Sequence, residues 1–231
     1  AKDFDIDSLM DGYFWFHFPW DLEKRAKFEE ANPRYIVSRT AERIVTQRRG
    51  PDGWHPTVDV FWRDLTPAWN TPPGDIDLPA IPTSFEPLTG VKEVDLGLEG
   101  LKKVKTQLGD QGLVGIFVAS SCFIHNPEQL YDFIDHPEKK EEIKQTMMAE
   151  CERRMAYLRD LPAEYRPDFL CFGGSGTLVL QTLEMVKEMT LPVIKRGMEL
   201  AKEYGYFTHV HSCGPETELV KLFRSEERRV G

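Results

Sequence analysis

The sequence predicts an α/β protein organised on a parallel sheet, and three stretches carry that expectation. Leu113 to Ala119 and Phe169 to Phe172 are continuous apolar runs, as strands buried on both faces require, while Tyr206 to Cys213 alternates apolar and polar before a Gly214-Pro215 break. Helix-rich stretches separate them. Strand, helices, strand, helices, strand at this period implies parallel pairing through right-handed crossovers.

Taken in order, the chain opens with Asp3, Asp5, Asp7 and Asp11, which do not make a calcium loop. With Asp3 in the first position, the obligatory turn glycine is Ser8 and the bidentate carboxylate is Phe14. Tyr13 to Trp20 is an aromatic cluster, read as packing in preference to a wall for a flat ligand. Asp21 to Ala31 has the pattern of a short amphipathic helix, with Pro33 beyond its end, and Ile36 to Arg49 is another short element closed by Gly50-Pro51-Asp52-Gly53. Prolines then recur from Pro51 to Pro87 around one strand-like stretch, Val58 to Trp62. Proline this frequent argues against long regular elements and suggests an ordered excursion. Helices follow at Pro127 to Phe133 and from Asp135-His136-Pro137-Glu138 onward. The stripe Ile143, Met147, Cys151, Met155 and Leu158 falls at helical spacing, which makes Cys151 a structural residue. A further helical stretch, from about Thr182 to Tyr204, is expected to break at Leu191-Pro192 and to close on Gly205.

Composition narrows the partners. The 231 residues carry 29 basic and 38 acidic side chains, a net charge of -9, which disfavours nucleic acid and anionic membranes. No window approaches the ~20 apolar residues of a membrane span, and Ala1 to Asp5 lacks the apolar core of a signal peptide, so a cytoplasmic location is expected. Cys122, Cys151, Cys171 and Cys213 are scattered with no Cys-x-x-Cys, which suggests neither a disulfide framework nor a self-contained zinc finger.

The candidate chemistry lies at strand ends. In a strand, His209, His211 and Cys213 share one face, and imidazole nitrogen and thiolate sulfur are donors that zinc prefers. His211 and Cys213 are the candidate metal ligands. A core strand with hydrogen-bonded histidines and a small apolar cysteine is the alternative that spacing leaves open. Gly173-Gly174-Ser175-Gly176 follows the second strand and is the candidate substrate-binding turn, its amides free to hold a carboxylate or phosphate. It is neither a Walker loop nor a dinucleotide fingerprint. Parallel sheets gather their functional loops at the carboxyl ends of strands, so residues 119–123, 173–176 and 211–214 are expected to face one cavity.

Over roughly residues 112–223 the chain resembles the uroporphyrinogen decarboxylase superfamily. The resemblance is carried by Gly112 to Ala119, Asp135-His136-Pro137-Glu138, Pro167-Asp168-Phe169, the Leu191-Pro192 helix leading to Glu203-Tyr204-Gly205, and His211-Ser212-Cys213-Gly214. It implies a (β/α)8 TIM barrel with its site at the carboxyl ends of the strands. In the cobalamin-dependent methyltransferase branch, His-x-Cys and a much later Cys bind zinc, which activates a thiol acceptor. Carried over, His211 and Cys213 are zinc ligands, and a corrinoid, free or on a carrier protein, is the methyl partner. The Arg-Gln-Ala-Gly-Arg motif of true porphyrinogen decarboxylases is not found, and Gly173-Gly174-Ser175-Gly176 stands where those enzymes place an Asp. Uroporphyrinogen is therefore not the expected substrate.

The resemblance thus implies a zinc-dependent methyltransferase acting on a small thiol. The alternatives are a metal-free decarboxylase or lyase of a carboxylated substrate, and a non-catalytic barrel. A single domain over 1–231 is expected, with 1–110 as its N-terminal part, 111–223 as clear βα units and 224–231 as a tail lacking apolar periodicity. The barrel is expected to be incomplete, with the distal Cys and last strands beyond Gly231. An open edge near Thr208 to His211 would then favour association, for example as a homodimer.

Overall fold

The computed structural model describes residues 13–14, 16–65, 67–75, 86–87, 95–213 and 217–230. In chain order the strands are β1 (Tyr13–Phe14), β2 (Arg34–Arg39), β3 (Arg43–Gly50), β4 (Gly53–Trp62), β5 (Ala68–Thr71), β6 (Glu86–Pro87), β7 (Gly115–Ser120), β8 (Phe169–Ser175) and β9 (Phe207–Cys213). The helices are α1 (Pro19–Ala31), α2 (Leu98–Leu108), α3 (Pro127–Asp135), α4 (Lys140–Arg159), α5 (Thr177–Leu180), α6 (Leu183–Met185), α7 (Leu191–Glu203) and α8 (Thr217–Val230). Two compact units result: His17–Val94, and residues 95–231 together with β1.

The expected barrel is not what forms. β7, β8 and β9, with two-residue β1 beside β7, make one open parallel sheet of order β1-β7-β8-β9. The other strands form a separate antiparallel sheet, β5-β4-β3-β2-β6, inside residues 17–94. A barrel needs about eight strands joined in a ring with no edge. Among the described residues β1 and β9 are the two ends of the parallel order and no ring closes.

In the unit of residues 17–94, the stretch expected as one short element from Ile36 to Arg49 is two strands of a hairpin. Thr40 makes the turn, its Oγ1 accepting from the amides of Glu42 and Arg43 at 3.2 and 3.1 Å. Val37, Val45, Val58 and Val60 form the core, with Trp54, Trp62 and Ala68 packed against it. Proline does not prevent the ten-residue β4, because Pro56 lies where the β3–β4 register shifts, between the pairs Gln47↔Val58 and Arg49↔Trp54. At such a bulge no ladder bond is asked of its missing N–H.

In the parallel unit, helices cover one sheet face. Leu170, Phe172, Met155 and Leu158 are fully buried. Helix α7 reaches β8 closely because position 197 is glycine: a Cβ there would stand 2.6 Å from the Phe172 ring and 2.9 Å from Cys151 Sγ. Cys151 lies on the buried face of α4, and burial pushes its thiol up to about 11, against the smaller opposing effect of Arg154. At the amino end of the sheet, Asp168 accepts from the Val114 amide at 2.7 Å and pairs with Lys105 on α2 at 2.9 Å.

One helical expectation is corrected and two helical stretches are added. Leu191-Pro192 does not break the helix: a π-helical stretch over Val186–Thr190 precedes α7 and accommodates the proline's missing donor. The tail after Phe223 continues α8 to Val230, because Arg and Glu are good helix formers without an apolar stripe. Helix α2, given no element by the sequence reading, forms with Leu101 fully buried. Helix α7 closes as expected on Gly205, whose φ of 75° lets the Tyr206 amide reach Ala201 O at 2.8 Å. The four N-terminal aspartates and Trp15 lie outside the described residues.

Candidate functional site

The register of β8 on β9 decides which side chains meet. Cys171 pairs with His209, Gly173 with His211, and Ser175 with Cys213, so these six positions share one face of the sheet. The two histidines are each held from β8. His209 Nδ1 is 3.8 Å from Cys171 Sγ, with its ring edge-on to Phe169, and His211 Nε2 is 3.0 Å from Ser175 Oγ. Cys213, the last residue of β9, is placed by its backbone opposite Ser175. His211 and Cys213 therefore stand on one face at the carboxyl end of the strand.

Gly173, Gly174 and Ser175 are strand residues, not a free turn, and pair along β9 with His211, Ser212 and Cys213. Two of the glycines have internal reasons. Gly173 has a φ of 97°, and a Cβ on it would fall 2.1 Å from His211 O. A Cβ on Gly174 would sit 3.2 to 3.3 Å from Ser120 Oγ, Ser121 Oγ and Cys122 Sγ. Gly176 precedes the short helix α5 with a φ of 67°.

Beside β8, the end of β7 is held by a buried polar mesh that sequence reasoning missed. The register shift between Phe117 and Ala119 brings Ser120 opposite Gly173. The Ser121 amide donates to Gly173 O at 3.0 Å, and Ser121 Oγ is 2.6 Å from Thr177 Oγ1. Gln181 Oε1 accepts from the amides of Phe123 and Ile124 at 2.7 and 3.0 Å, while its Nε2 donates to Ser121 O at 2.9 Å. Ser121, Thr177 and Gln181 are all buried. Segment 121–124 is irregular, yet its four amides and the Ser121 carbonyl all have partners, which fixes its path.

Within that segment stands Cys122, a half-buried free thiol. Its amide donates to Ser120 Oγ at 2.9 Å, and its thiol donates to Ser175 O and Thr177 Oγ1, each at 3.4 Å. The only trace of this in the sequence is the small polar run Ser120-Ser121-Cys122 directly after a buried strand. Among the described residues no three His, Cys, Asp or Glu side chains already stand as a ligand cluster; the side chain of Cys213 is outside them. Beyond Cys122 opens a cleft of about 500 Å³ between α3 and α4, lined by Phe123, Ile124, Phe133 and Ile143 with the carboxylates of Glu128 and Asp132. No helix among the described residues is long and apolar enough to cross a membrane.

The chemistry available at these strand ends is that of an imidazole, two cysteines and several hydroxyls, with the cysteines and imidazole suited to a borderline-soft cation. Comparison of the chain with protein-family models, with curated proteins and with solved structures finds no match.

Proposed function

We propose that this chain is a uroporphyrinogen-decarboxylase-like protein working as a zinc-dependent methyltransferase, which moves a methyl group between a corrinoid and a small thiol. The observation that carries the proposal is the placement of His211 and Cys213, two residues apart on one face of β9, at the carboxyl end of a parallel sheet. That is where functional groups of parallel α/β sheets collect, and the proposal needs no closed barrel. The donor set fits the metal: one imidazole and one thiolate are first-choice zinc ligands.

His211 and Cys213 would hold the ion, and Ser175 would orient the His211 ring through the Nε2 contact. Bound zinc lowers the pKa of a thiol acceptor, so that more of it is thiolate at neutral pH. The mesh of Ser121, Thr177 and Gln181 keeps the neighbouring strand end in place during turnover. The corrinoid, whether free or on a carrier protein, is part of the proposal through the family resemblance. The carboxy-lyase alternative draws less support, because the amides it would use at Gly173–Ser175 belong to strand residues paired with β9.

Elemental analysis of the protein purified without chelator tests this. One zinc per chain is expected, falling at least tenfold in affinity with His211→Ala or Cys213→Ser. Wild-type protein that holds no zinc and takes up none when it is supplied would sink the proposal.

A further inference from the structure

We propose that the cleft between α3 and α4 is a binding site for a small organic cation, an ammonium group carried on an aromatic body. The inference goes beyond the metal reading and does not depend on it, since the cleft is lined from residues 123–143 and the test is read on metal-free protein. At about 500 Å³ the cleft has the size of a small-molecule site. It has an apolar floor and a polar rim. Ile124 and Phe133 are buried at its base, Phe123 and Ile143 are half-buried beside them, and Phe123 meets Phe133 edge to face with ring centroids 5.1 Å apart.

The charge on the rim has one sign. Among the described residues the cleft is lined by two carboxylates, Glu128 and Asp132, and by no basic side chain. They stand four residues apart on α3, and so on one face of the helix, where like charges repel. Only one of them is compensated. Asp132 Oδ1 lies 3.3 Å from Lys139 Nζ and 3.7 Å from His136 Nε2, whereas Glu128 has no partner among the described residues. The helix dipole favours a carboxylate at Glu128, in the first turn, and disfavours one at Asp132, toward the carboxyl end, so helix stability does not account for the pair.

The other polar acceptors of the rim are engaged within the chain. Asn126 Oδ1 accepts from the Gln129 amide at 2.8 Å, and Gln129 Oε1 accepts from the His125 amide at 2.7 Å. The carboxylates are therefore the acceptors left for a ligand. An anion would be repelled by them and a neutral molecule would leave them unpaired, whereas an ammonium satisfies them. The floor favours the same group, because the face of a phenyl ring attracts a cation, and Lys140 Nζ already stands over the Phe133 ring at 5.1 Å. Phe123 offers a second ring, held in place by the bonds that Gln181 accepts from the Phe123 and Ile124 amides, so binding does not have to order the floor.

Titration of the full, chelator-treated chain with phenethylamine, followed by the amide shifts of isotope-labelled protein at neutral pH, tests this. The amine should bind with a Kd of about 1 mM or lower and move the amides of Phe123, Ile124, Gln129 and Ile143. Its neutral analogue 2-phenylethanol should bind about tenfold more weakly, for want of a charge-assisted bond. Glu128→Gln, an exposed and nearly isosteric change, should weaken the amine about fivefold and leave the alcohol unaffected. Equal affinity for amine and alcohol, a comparison that needs no variant, would overturn the proposal. So would equal amine affinity in wild type and Glu128→Gln, shifts confined to residues outside the cleft, or no shift at about 20 mM amine. Because no metal is present, a chain that binds no zinc can still bind the amine, and one that binds zinc can still fail to.

Discussion

The two units of this chain reach a packed interior by opposite routes. Residues 17–94 use alternation: Val45, Val58 and Val60 point inward from an antiparallel sheet. Arg43 lies over Trp62 at 5.3 Å and Arg49 over Trp54 at 5.6 Å, so long cationic side chains shield the aromatic rings from water. The parallel unit uses close backbone approach. Gly197 lets α7 press on Phe172, and Gly173 lets β8 pass His211 without a side chain between them. An interior built from side chains tolerates small losses, whereas one built on absent side chains tolerates no gain.

The sharpest break of that contrast is Gly173→Ala. A Cβ 2.1 Å from His211 O, at a φ of 97°, combines a backbone clash with left-handed strain and should cost at least about 3 kcal/mol. Urea unfolding measures it, and a cost under about 1 kcal/mol would show that β8 and β9 separate easily. Val45→Ala probes the other unit. Deleting two buried methyl groups from the valine cluster should cost about 2 kcal/mol, with faster amide exchange expected in β2, β3 and β4. An equal rise across β7, β8 and β9 would mean that the two interiors melt together.

Cys151→Ala is the mildest, at about 1 kcal/mol near neutral pH, with metal content unchanged. Its cost should depend on pH with a definite sign. Folding raises this thiol from 9.0 to about 11, so the wild-type contribution is complete below pH 9 and is lost as pH rises toward 11. The gap between wild type and Cys151→Ala in urea midpoint should therefore shrink from pH 8 to pH 10.5. A constant gap would place the thiol in a more polar setting than the contact with Phe172 and α7 implies.

The strands β7 and β8 were legible in the sequence because each is a continuous apolar run that reports its own burial, and β9 was legible by its alternation of apolar and polar residues alone, since its Phe207 is exposed. The shared face of His211 and Cys213 was legible for a similar reason, since a period of two needs no knowledge of the neighbours. Gly205 also declared itself, as a helix stop with a positive φ. These are local properties, set within a few residues by sterics and water.

The tertiary structure alone decided the rest. Periodicity says that a strand exists and not what it pairs with, so the same segments were compatible with a closed barrel and with the open sheet that forms. Pro56 looked like a strand breaker until the β3–β4 register placed it at a bulge. Cys122 was indistinguishable from any small buried cysteine, because the groups that distinguish it, Ser175 and Thr177, lie 53 and 55 residues further along the chain. Pairing, register and the meeting of distant side chains are long-range outcomes of packing, and a single chain's local pattern does not encode them in readable form.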